Sequence, residues 1–180
     1  MVLKSVHPDL NMSTDAKIIM NNFLNNLMRK LIEHAIFSLK FKEVILRVFK
    51  GELAIHTITE IRRSLSKYEN GTKTKGIFPY LQIKEIFEDM RLSIAVSAVL
   101  NYISGEILEL AGNLTREDER FQMSDSDIID AMKNDPELNR LINKIGFDKK
   151  SVKNINEIEF DTEYIMDADY LDFNTKPEKK

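Results

Sequence analysis

Residues 93–114 read SIAVSAVLNYISGEILELAGNL. Val96, Val99 with Leu100, Ile103, Ile107, and Leu110 with Ala111 recur in steps of three and four, the period of a helix with one wide apolar stripe, and Ser93 is suited to cap its start. An equivalent stripe runs earlier in the chain through Ile19/Met20, Phe23/Leu24, Leu27/Met28, Leu31/Ile32, Ala35/Ile36 and Leu39. Ser13 and Thr14 precede it as capping residues, and the pattern predicts a helix reaching to about residue 38. At 1.5 Å per residue such a helix is about 40 Å long. The flanks repeat as well. A short amphipathic segment over 4–7, ended by Pro8-Asp9, leads into the first long helix, and an apolar segment over 44–49 and a helix over 52–68 follow it. In the second copy a short helix over 80–90 begins beside Pro79 and leads into the long one. Ser124 with Asp127 at the capping-box position opens the next helix, and Asp135-Pro136 opens another that Gly146 ends. Neither copy covers its own long stripe, so the two long helices are expected to cross and bury each other. The chain thus reads as a fused all-α dimer.

Composition agrees. The chain has 180 residues, 43% hydrophobic and 31% charged, with six glycines and four prolines, a globular make-up poor in turns. There are no cysteines, which excludes disulfides, Cys-ligated zinc and thiol catalysis. No apolar run approaches the ~20 residues of a membrane span and no charged-then-apolar leader opens the sequence, so a soluble, unsecreted protein is expected. The net charge of −3 hides a split: before Gly76 there are 13 Lys/Arg against 7 Asp/Glu, and from Gly76 onward 13 against 22. His7, His34 and His56 are too scattered for a metal site, and Asp125, Asp127 and Asp130 lack the glycine of a calcium loop. Without a phosphate-cradling glycine loop or a nucleophile elbow, neither an enzyme nor a cofactor or small-molecule substrate is expected.

Several stretches are similar to core histones. Val2-Leu3-Lys4, Val6-His7-Pro8-Asp9, Ile19-Met20-Asn21 with Phe23, Gly51-Glu52-Leu53-Ala54 with His56, and Lys67-Tyr68 resemble histone two-B. Phe78-Pro79, Ala98-Val99-Leu100 with Tyr102, the unbroken run 106–113, and Asn134-Asp135 with Glu137-Leu138-Asn139 and Leu141 resemble histone two-A. Joined head to tail, the two halves resemble the histone doublets of giant double-stranded DNA viruses. The resemblance implies two histone folds in one chain forming an intramolecular handshake pseudo-heterodimer. It divides the chain into a two-B-like fold over 1–70, a linker over 71–76, a two-A-like fold over 77–147, and a docking-like segment with an acidic tail over 148–180. The first helix is a stub, and residues are missing near Phe41 and near Arg91-Leu92, which makes it a shortened variant.

What the resemblance implies for function is DNA packaging. Histone dimers hold the DNA backbone without reading bases, through helix N-termini, loops and arginines. Ser13, Thr14, Lys40, Lys42, Lys73, Lys75, Arg91, Ser93 and Arg120 fall on or beside such positions. Gln82, Glu85, Glu88 and Gln122 stand where the family has basic residues, so weak binding and a short wrap are expected. Glu52, Glu60, Glu106, Glu109, Asp135 and Glu137 match the family's acidic patch, which receives arginine anchors, whereas Asn101 and Pro136 depart from it. Leu39, Phe41, Val44 and Phe49 correspond to a docking face for histone four, and Val152, Asn154, Ile155 and Ile158 to a segment reaching histone three. The implied partners are double-stranded DNA, a histone four–histone three-type doublet and a second copy of the chain, in virion chromatin and the host nucleus or viral factory; no membrane is implied. The competing reading is a histone-fold interaction module (a decoy, assembly factor or regulator) that does not wrap DNA.

Overall fold

The computed structural model describes residues 2–35, 40–71 and 89–147. Its elements are α1 (Leu3–Val6), β1 (Asn11–Met12), α2 (Thr14–Ala35), α3 (Phe41–Val48), α4 (Gly51–Glu69), α5 (Met90–Glu117), β2 (Gln122–Met123), α6 (Asp125–Asn134) and α7 (Pro136–Ile145). The architecture is all-α, two histone folds clasped in an intramolecular handshake. The only strands among the described residues are two-residue bridges, and they tie the halves together. β1 of the first half pairs in parallel with β2 of the second, Asn11 opposite Gln122 and Met12 opposite Met123.

The long helices are mutually buried. α2 packs on α5, α6 and α7, while α4 lies along α5. Phe23, Leu27, Leu31, Phe41, Ile45, Ile61, Ile103, Ile107 and Ile128 are at most 1% exposed and belong to one continuous core drawn from both halves. Residues 92–100 of α5 are buried without interruption, the pattern of a helix surrounded on all sides. α5 is also the one described helix long and apolar enough to cross a membrane, but two-thirds of that stretch lies inside the protein's own core. Its hydroxyls are satisfied locally: Ser104 donates to the Leu100 carbonyl at 2.6 Å and Thr115 to that of Ala111 at 2.9 Å.

Helix ends follow local chemistry. The Ser13 hydroxyl accepts from the Ala16 N–H at 3.1 Å at the start of α2. Ser124 and Asp127 form the reciprocal capping box of α6, Pro136 occupies the first turn of α7, and Gly146 closes it at φ +63°. One boundary differs from expectation. α5 starts at Met90, capped by Asp89, whose carboxylate accepts from the N–H groups of Arg91 (2.6 Å) and Leu92 (3.0 Å). Ser93 is therefore inside the helix, fully buried, and its hydroxyl donates to the Asp89 carbonyl. Met90, assigned above to a short helix over 80–90, belongs to α5; residues 80–88 lie outside the described part, as do the linker residues 72–76.

Candidate interaction site: an acidic cleft between the halves

α4 of the first half and α5 and α7 of the second enclose a cleft of about 160 Å³, lined by Glu52, Leu53, His56, Tyr102, Glu106, Leu110, Asp135, Glu137 and Leu138. Four of the six acidic residues singled out from the sequence line it. Glu109, exposed on α5, and Glu60, ion-paired to Arg63 at 3.6 Å, act on it electrostatically: Glu109 on Glu106, Glu60 on Tyr102. Leucines form an apolar floor. His56 and Tyr102 add an aromatic wall, their ring centroids 6.2 Å apart. Neither was singled out as a cleft residue, although both stand one helical turn from a carboxylate that was: His56 from Glu52, Tyr102 from Glu106.

The carboxylates are not equivalent. Asp135 caps α7, accepting from the N–H groups of Glu137 (2.9 Å) and Leu138 (2.8 Å). Glu137 reaches across to the first half, where its two oxygens accept from the N–H groups of Glu52 (3.0 Å) and Leu53 (2.7 Å). α4 needs this, because Lys50 at its N-cap supplies no side-chain hydrogen bond and the first-turn N–H groups are otherwise orphaned. Glu106 is held differently. Burial pushes its carboxyl above the usual range, helped by Glu109 and Asp135 and opposed by the hydrogen bond from Tyr102. Burial first, then Glu106, Glu137 and Glu60, raises the Tyr102 hydroxyl, so it stays a donor.

The cation positions are scattered. Ser13 and the exposed Thr14 at the start of α2 come to the same edge as the loop holding Arg120, because β1 and β2 pair there. Arg120, however, is committed to the protein. It donates to both oxygens of Asp127 (2.8 and 2.6 Å), to Asp118 (2.8 Å) and to the Gln122 carbonyl. The guanidinium thereby clasps the loop before β2 to the start of α6, its side chain 36% exposed at that edge. Ser93 is buried, its hydroxyl bonded within the helix to the Asp89 carbonyl. Arg91 pairs with Glu69 at 2.9 Å at the far end of α4. Lys40 and Lys42 are half-buried at the start of α3, and Lys73 and Lys75 lie outside the described residues. Phe121, 76% exposed beside Arg120, was not anticipated.

Phe41, Val44 and Phe49 are each at most 1% exposed, packed into the chain's own core. On the period of α3, what points outward is Leu46, 44% exposed, with Glu43 and Arg47. Leu39, Val152, Asn154, Ile155 and Ile158 lie outside the described residues. Among the described residues no group of three or more His, Asp and Glu side chains is arranged to hold a metal ion.

The chain is similar to a viral histone doublet. It is 24% identical over 170 aligned residues to a Melbournevirus histone doublet that joins histone two-B to histone two-A, covering 79% of this chain. The chain spans about 63% of that relative's length. No protein-family profile matches it.

Proposed function

We propose that the protein is a shortened histone doublet that packages DNA. In this reading it joins a histone four–histone three-type doublet and a second copy of itself in a nucleosome-like particle of viral chromatin, holding the DNA backbone without reading sequence. The observation that carries the reading is the parallel pairing of β1 with β2 across the halves. It brings the start of α2, with Ser13 and Thr14, beside the loop before β2, so that N–H groups of a helix end and a loop converge on one edge as a phosphate-binding surface requires. The similarity to the Melbournevirus doublet supports the same role. With Arg120 tied into ion pairs, the described part of this edge has few cations to release counterions, so the wrap is short and weakly held and its salt dependence shallow.

The acidic cleft is the second working surface. A guanidinium entering it meets Glu106 and Asp135 over a leucine floor that accommodates the aliphatic stem. The same spent cations favour the alternative, an interaction module that uses the cleft and never wraps DNA. One experiment separates the two. The chain is mixed with a histone four–histone three-type doublet and double-stranded DNA, then digested with nuclease. A discrete protected length is expected, while the chain with DNA alone gives little or no mobility shift at physiological salt. Complete digestion of the mixture at moderate salt overturns the packaging role and leaves the interaction module.

A further inference from the structure

We propose that the basic face where α2, α3 and α7 meet is the docking site of the chain's own acidic segment, residues 159–172. The three helices pack together there. Lys30 comes to it from α2, Arg47 from α3 and Lys144 from α7, and all three bear on His34 near the end of α2. Burial first, then these cations, pull the His34 imidazole below its usual range, so the ring adds no charge at neutral pH. Arg140 lies one turn before Lys144 on the same face of α7. Lys50 follows α3, its Nζ donating to the Leu46 carbonyl at 2.8 Å. Against them stand Glu33, on Lys30 at 3.0 Å, and Glu43, 4.0 Å from Arg47. Lys50, Arg140 and Lys144 make no ion pair among the described residues. Beside these charges Leu46 is 44% exposed, so the face is positive with an apolar spot.

Charge and reach select the occupant. Residues 159–172 read EFDTEYIMDADYLD, six carboxylates with no Lys, Arg or His, interleaved with Phe160, Tyr164, Ile165 and Leu171. Such a segment offers oxygens to the cations and apolar side chains to Leu46. The chain leaves α7 through Phe147, three residues after Lys144, its ring edge-on to that of Phe23 in α2 at 5.7 Å. The connecting residues, 148–158, span at most about 40 Å, against the ~15 Å length of α7. The acids therefore reach the whole face, and the covalent tether holds them near it. Seated there, the segment keeps other polyanions off the face, whether or not the chain wraps DNA.

The chain has no cysteine, so Thr162→Cys places a single nitroxide in the segment of the otherwise intact protein. Paramagnetic broadening is read by NMR against the reduced label. The amides of Leu46, Arg47 and Lys144 are expected to lose most of their intensity at about 0.01 M salt, where the Debye length is about 30 Å. They recover it at about 1 M salt, where that length is about 3 Å. Ser13 and Thr14, at the other end of α2, keep their intensity throughout. Arg47→Gln combined with Lys144→Gln, both exposed side chains, relieves the broadening and leaves the rest of the spectrum in place. Broadening that misses the face, spreads evenly over the surface, or persists unchanged in the double variant overturns the proposal. Broadening of an isotope-labelled chain by a separate nitroxide-labelled one gives the face to a second copy and overturns it too. An unbroadened face whose Leu46, Arg47 and Lys144 signals shift on adding a short DNA duplex is a DNA surface, and the proposal falls.

Discussion

Asp127 is the most heavily bonded carboxylate among the described residues. Its side chain is 7% exposed and accepts from Arg120 twice and from the Ser124 N–H (2.7 Å) and hydroxyl (2.9 Å). Burial alone would raise its pKa, but the hydrogen bonds from Arg120 and Ser124 win and hold it at about 2. A depressed carboxyl stabilises the fold above its unfolded value, near 3.8, and that contribution is lost as the pH falls toward 2. Asp127→Asn is therefore expected to cost about 2 kcal/mol at neutral pH, as for a charged hydrogen-bond acceptor. Urea unfolding should show a shallower loss of stability between pH 4 and 2 in the variant than in wild type. Glu106 has the opposite sign. Its carboxyl is raised mainly by burial, so its charge works against folding at neutral pH, and the penalty is relieved on acidification toward the raised value. Glu106→Gln should raise Tm at pH 7 and leave it unchanged near pH 4, a difference read by calorimetry at the two pH values.

Elements were legible where their signals are local. The capping box of Ser124 and Asp127, the Pro136 start and the Gly146 stop were each readable from a few adjacent letters, and each stands in the structure. The start of α5 was not, because Asp89 and Ser93 are both good caps four residues apart. The apolar Met90 and Leu92 let the helix run back one turn to the first of them. Nor did the sequence disclose what reaches across the halves. The Glu137 latch on α4 and the seat of α1 on α5 join residues far apart in the chain, and periodicity carries no record of them. In that seat His7 is buried over Gly112, its Nε2 is 3.0 Å from the Glu109 carbonyl, and Leu3 beside it is 1% exposed. A Cβ at Gly112 would lie 2.1 Å from the His7 ring. Gly112→Ala must therefore expel His7 and unseat α1, at a cost of about 1–3 kcal/mol typical of overpacking. The loss is checked by Tm and by faster exchange of the α1 amides with α6 unaffected.

At the scale of the molecule, the handshake makes the halves interdependent. α2 has its partners on α5, α6 and α7, and α4 has its own on α5, so parting the halves exposes core residues of both. A core shared in this way should unfold as one cooperative unit, with a single transition by every probe. The covalent link makes the pairing of the halves intramolecular and so removes the concentration dependence of a true dimer. Cutting the chain between residues 75 and 76 tests this directly. Each half alone is expected to show little stable helix by circular dichroism. Mixed in equal amounts they should recover the helix content of the intact chain, with a Tm that rises with protein concentration as mass action requires, while the intact chain's Tm does not move. Residues 1–75 folding alone, with dispersed amide resonances, would refute the interdependence, because buried side chains such as Phe23 and Leu27 would then need no cover from the second half.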